Sequence, residues 1–98
     1  MTVTYIIKFN VVPDQRGRFL ELIGGVIANM RSETTFHFAE LHQDPASPNR
    51  FMLYETWESH EDVLEVQLAR QYREEWHRSL PELLVEDREI EIWGPRPR

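Results

Sequence analysis

The sequence predicts an α+β fold, with one four-stranded antiparallel sheet and helices laid on one side of it. Three observations carry this. Apolar residues alternate near both ends of the chain, at 3–12 and 86–93. Between 15 and 31 they recur at helical spacing. Two strand-like segments in the middle are joined by a stretch dense in turn formers.

In the first segment Val3, Tyr5, Ile7, Phe9 and Val11 fall on one face, and Ile6, Lys8 and Asn10 on the other. Pro13 cannot donate to a ladder and ends the strand. Asp14 is the expected N-cap of the helix that follows. That helix presents Phe19, Leu22, Ile23, Val26, Ile27 and Met30 as one stripe. The stripe outweighs Gly24 and Gly25, each of which costs about 1 kcal/mol relative to alanine in a helix; the pair is also a candidate for close contact with a neighbouring backbone. Residues 34–43 and 50–58 form a hairpin across Asp44-Pro45-Ala46-Ser47-Pro48-Asn49. Ser59-His60-Glu61-Asp62 opens a second helix with a weak capping box, carrying Val63, Leu64, Leu68, Tyr72 and Trp76 inward. Ser79-Leu80-Pro81-Glu82 repeats the pattern and is expected to open a short helix through Leu83 and Leu84. Ile90 and Ile92 alternate with Glu89, Glu91 and Trp93 in the last strand, and Gly94 begins a frayed tail. The order β-α-β-β-α-β is the split βαβ pattern of ferredoxin-like folds.

The 98 residues fit a single domain. A domain this small buries only about two thirds of its unfolded surface. With no cysteine, neither disulfides nor thiolate chemistry are available. Seventeen acidic against eleven basic residues give a net charge of −6, which argues against nucleic acid as a partner. No apolar run is long enough to span a bilayer, and the alternating N-terminus is unlike a signal peptide, so a soluble cytoplasmic protein is the simplest expectation. Phe36, Phe38, Met52 and Tyr54 are assigned to the sheet face away from the helices. Left uncovered they would form an exposed apolar patch, which predicts a homodimer paired through that face.

Glu40-Leu41-His42-Gln43-Asp44-Pro45, then Asn49-Arg50-Phe51-Met52-Leu53-Tyr54-Glu55-Thr56-Trp57-Glu58-Ser59, and later Leu80-Pro81-Glu82-Leu83-Leu84, resemble the signature of the antibiotic biosynthesis monooxygenase family. Tyr54-Glu55-Thr56-Trp57-Glu58-Ser59 is the most specific part. The resemblance implies a dimeric α+β barrel with a pocket between sheet and helices, and oxygenase chemistry on anthrones or quinols without flavin, metal or haem. The family often carries a histidine near the position of Gln67, which this chain lacks. Haem-degrading relatives combine Asn, Trp and His; here only Trp57 matches that set securely, Asn10 sharing the strand but not a fixed register, so haem chemistry is disfavoured.

Pairing residue 42 with 52 and 39 with 55 puts His37, Ala39, Leu41, Phe51, Leu53, Glu55 and Trp57 on the helix-covered face. Glu55 is there either as a structural acid with a partner or as the base of a pocket. His37 has a titration range suited to taking a phenolic proton, or is an ordinary strand histidine. His42 falls on the dimer side. Trp57, Gln67, Tyr72, Trp76 and Asn10 are candidate substrate contacts; for the aromatics the competing role is plain core packing, and for Gln67 a structural hydrogen bond. No histidine pair has zinc-protease spacing, and neither a nucleophile elbow nor a phosphate loop is present. The expected activity is oxygenation of a small electron-rich aromatic by O2 with no cofactor. A proton-transfer enzyme such as an isomerase and a non-catalytic ligand-binding dimer are the alternatives, separable by turnover without oxygen and by the size of the pocket.

Overall fold

The computed structural model describes residues 1–97. Strand β1 (Val3–Asn10) leads through a 3-10 turn at Pro13–Gln15 into helix α1 (Arg16–Met30). The hairpin β2 (Phe36–Asp44) and β3 (Ser47–Trp57) follows, then α2 (His60–Glu65), two 3-10 turns at Gln67–Ala69 and Gln71–Arg73, α3 (Glu74–Leu83) and β4 (Glu89–Trp93). The strands lie in the order β2-β3-β1-β4, each pair antiparallel. This is the ferredoxin-like arrangement, with the helices on one face.

The inward register places Val3, Tyr5 and Phe9 of β1 beside Phe51, Leu53, Glu55 and Trp57 of β3, all buried. Helix α1 lays Phe19, Ile23, Val26, Ile27 and Met30 on them. Phe19 packs tilted on Phe51 at 5.0 Å between centroids and edge-on to Phe9 at 5.2 Å. Arg18 ties α1 to α3, donating to Glu82 at 2.7 Å and to the buried Ser79 hydroxyl at 2.9 Å.

Four local expectations change. Asp14 does not cap α1: the helix begins at Arg16 after the 3-10 turn, whose Pro13 carbonyl accepts from Arg16, and no side chain bonds to its N-terminus. Gly24 and Gly25 touch no neighbouring backbone, because a Cβ on either would meet nothing within 4 Å. Ser79-Leu80-Pro81-Glu82 does not start a helix but lies inside α3, where Ser79 serves Arg18 and Pro81 falls in the last turn. The second helix is not continuous. It stops at Glu65 and restarts at Glu74, with Arg70 extended between (ψ 136°) and forked onto Glu33 at 2.8 and 3.2 Å. Gln67 is buried on the stripe it shares with Val63, while Leu64 and Leu68 line a cavity and remain partly open to solvent, 54% and 41% exposed. Ser59 is a true cap, its hydroxyl accepting from Asp62 N–H at 3.0 Å.

The hairpin pairs 39 with 55 and 42 with 52, as expected, but is irregular between Phe36 and Phe38. Phe36 and Phe38 stand opposite the adjacent Trp57 and Thr56, so His37 is the extra residue of a bulge. Phe36 thereby turns to the helix side and packs edge-on to Trp57 at 5.4 Å, not to the outer face. The outer face retains Phe38 and Tyr54, 46% and 37% exposed and edge-on to one another, with Trp93 of β4 in the next-but-one strand.

Candidate active site

A cavity of about 180 Å³ opens between the sheet and the helices toward the β4 edge. β1 and β3 supply Tyr5, Ile7 and Glu55; α1 supplies Val26 and Met30; α3 and the turn before it supply Trp76, His77 and Arg73. Ile90 and Ile92, 47% and 57% exposed, mark the open side. An engineered apolar cavity of about 150 Å³ holds benzene, so one aromatic ring fits here and a larger one extends through the opening.

Glu55 is the acid at the bottom. Strand alternation alone turns it inward, opposite Tyr5. It is 5% exposed, and its Oε1 accepts from Trp57 Nε1 at 3.2 Å. Burial pushes its carboxyl above the usual range, while the guanidinium of Arg73 and the tryptophan N–H pull it part of the way back. Arg73 is 6% exposed, with its carbon Cζ 5.8 Å from the ring centres of both Trp57 and Tyr72. Its Nε and Nη2 have no hydrogen-bond partner. A buried guanidinium with donors to spare, lining a cavity, is rare, since buried polar groups are nearly always satisfied.

Tyr5 bonds through its hydroxyl to Nδ1 of His60 at 2.6 Å. Burial, reinforced by Glu55 and offset by Arg73, pushes its phenol up to about 12. His77, half-buried, is held below the ordinary histidine value by burial first, then by Arg88 and Arg73.

Of the residues expected from sequence, Glu55 and Trp76 line the cavity. Trp76 stands edge-on to Phe9 at 5.8 Å. Trp57, fully buried, sits behind Glu55 rather than in the wall. Gln67 lies to one side, its amide donating to Asp62 at 3.2 Å and Thr35 at 3.3 Å, with its Oε1 unpartnered. Tyr72 also stands aside, its hydroxyl donating to Glu33 at 3.1 Å. Two positions are corrected. His37 does not share the inward face, because the bulge turns it outward, where it pairs with Glu58 at 2.5 Å. Asn10 is exposed at the end of β1 and donates to Glu86, on the strand parity facing away from the cavity. Tyr5, His60, Arg73, His77 and Arg88 were not singled out from sequence. Tyr5 had a signal, since it shares the inward parity of Val3 and Phe9; Arg73 had none, because only the helix break turns it inward. Among the described residues no three His, Asp or Glu side chains converge as a metal site.

The profile of the family described as "Antibiotic biosynthesis monooxygenase" matches residues 2–79. The chain belongs to that family. A relative in Pestalotiopsis microspora, named "Putative monooxygenase", is 28% identical over 97 residues, which span 98% of this chain and 81% of that one. Among solved structures, Rv0793 of Mycobacterium tuberculosis superposes with a TM-score of 0.89 at 19% identity, covering 100% of this chain and 98% of its own. SnoaB of Streptomyces nogalater, named as a cofactor-independent oxygenase and solved as a mutant, gives 0.82 at 18%, covering 99% and 95%. At such identities the superpositions show a shared fold. No helix of the described residues is long and apolar enough to cross a membrane.

Proposed function

We propose that the chain is a monooxygenase of a small electron-rich aromatic, a quinol or anthrone-like phenol, that uses O2 without a redox cofactor. The observation that carries this is the pairing of a basic, buried carboxylate with a donor-rich arginine in an apolar cavity one ring wide. The relatives named as monooxygenases support it.

Glu55 takes the phenolic proton. Desolvation makes it a stronger base than a surface carboxylate, closer to the task at neutral pH. Negative charge then moves from Glu55 to the substrate oxygen, and Arg73 faces both positions, so its free N–H groups stabilise the new anion without rearrangement. The anion passes one electron to O2, and the radical and superoxide join at carbon. Glu55 returns its proton to the peroxide, which loses water. For a methylene carbon the balance is CH2 + O2 → C=O + H2O: one oxygen atom enters the product, the other leaves as water, and no outside reductant is consumed. Trp57 holds Glu55 in place through its indole N–H, and Trp76 with the aliphatic wall excludes water from the ring.

We further propose that the outer sheet face pairs with a second copy. Phe38, Tyr54 and Trp93 form an apolar patch there that water would otherwise cover.

The test is oxygen uptake by metal-free protein over a panel of quinols and anthrones. The expected result is uptake that falls about 100-fold or more in Glu55→Gln, within the range for a lost general base. Uptake equal in the two proteins overturns the role of Glu55; turnover undiminished without oxygen overturns oxygenation.

A further inference from the structure

The proposed chemistry leaves two basic groups of the cavity without a task. Arg88 and His77 line both the cavity and a neighbouring surface cleft bounded by Leu80, Leu84, Val85, Glu86 and Asp87, and so stand at the passage where the two meet. Arg88 is half-buried. Its side chain makes no hydrogen bond and no ion pair with any described residue, although Glu86, Asp87 and Glu89 are its chain neighbours. Lys8, Arg18, Arg50 and Arg70 each have a carboxylate within 4 Å, whereas Arg16, Arg31, Arg78 and Arg96 have none among the described residues. The cavity is set apart by burial and by the balance of its charges. Its lining holds two arginines against one carboxylate, Glu55, and the deeper arginine, Arg73, is more than nine-tenths buried with two nitrogens unpartnered. A surplus of positive charge in an apolar, partly desolvated site is complementary to an anion.

We propose, resting on the reading of the cavity as a ring-binding site, that the substrate is an aromatic carboxylic acid whose ring enters the cavity and whose carboxylate stays at the passage, held by the Arg88 fork with His77 beside it. One guanidinium offers two parallel N–H donors, which match the two oxygens of a carboxylate. Burial first, then Arg88 and Arg73, hold His77 below the ordinary histidine value, and its ring offers an N–H beside the Arg88 fork. Arg73 remains free for the oxygen that ionises during the reaction. The carboxylate thereby fixes which end of the ring faces Glu55.

The experiment is calorimetric titration of the intact protein with 2-naphthoate and with 2-naphthamide, equal in ring size, differing in charge, and not oxidised under these conditions. The naphthoate is expected to bind about tenfold or more tightly than the amide. Arg88→Gln is expected to bring the two towards parity, the naphthoate losing about tenfold or more while the amide still binds, which also reports that the cavity is intact; Arg88→Lys keeps part of the preference. Equal affinities in the unaltered protein, a preference that survives Arg88→Gln, or binding of neither compound would overturn the proposal. Because neither probe turns over, the outcome separates from the oxygenase reading. A preference for the acid with no oxygen uptake supports the anion site alone, and uptake of neutral quinols with no such preference overturns the anion site alone.

Discussion

Replacing Trp57 with phenylalanine removes one hydrogen bond and some volume while keeping a ring against Phe36 and Arg73. The bond lost runs from Nε1 to the Glu55 carboxylate, both groups buried. A hydrogen bond to a charged group contributes about 1.5–3 kcal/mol. The lost packing adds a smaller term that does not depend on pH. The folded Glu55 carboxyl titrates above its unfolded value, so its contribution to stability is fully present below the unfolded value and is lost as pH rises through the folded one. Phenylalanine withdraws a donor that serves the ionised form and so raises the folded value further. The variant must then lose stability faster than the wild type as pH climbs. Guanidinium chloride unfolding at fixed protein concentration measures this at about pH 4 and about pH 9. With a slope of roughly 3 kcal/mol per molar, the hydrogen-bond term of about 2 kcal/mol appears as an extra midpoint drop of about 0.7 M at the higher pH. An identical drop at both pH values would refute the claim that Trp57 stabilises an ionised Glu55.

Three other outcomes follow from the same structure. Gly24→Ala and Gly25→Ala each add a methyl into open space in mid-helix, and each should raise stability by about 0.5–1 kcal/mol, a melting increase of several degrees; no change or a decrease would mean a neighbour covers that side of α1. Trp76→Ala empties the wall between Phe9, Phe19 and the cavity and should cost about 3–5 kcal/mol in denaturant titration, against less than about 1 if the wall collapses to fill the space. Phe38→Glu buries a charge in the proposed outer-face dimer and should halve the mass seen in light scattering, whereas an unchanged mass would refute pairing through that face.

The alternation of β1 and the pairing of 39 with 55 were legible in the sequence, and with them the inward placing of Glu55 and Trp57, because a period of two fixes sides once one contact is right. The same parity misplaced His37 and Phe36. A bulge adds one residue to β2 and reverses every side chain beyond it, and nothing in Thr35-Phe36-His37-Phe38 marks it. The interruption after Glu65 was hidden for a related reason: Gln67, Ala69 and Arg70 are all acceptable helix formers. The chain breaks there through tertiary contacts, the Arg70–Glu33 fork and the Gln67–Asp62–Thr35 bonds, which no local pattern records. Arg73 reaches the cavity only because of that break, so the group most telling of a ligand was the least visible beforehand.

Oxygen-isotope labelling tests most directly whether one atom of O2 enters an aromatic held above Glu55. Metal-free protein turning over a quinol or anthrone under 18O2 should give a product carrying one labelled atom, with the second in water. Unlabelled product, or label recovered as hydrogen peroxide, would contradict oxygenation in this cavity.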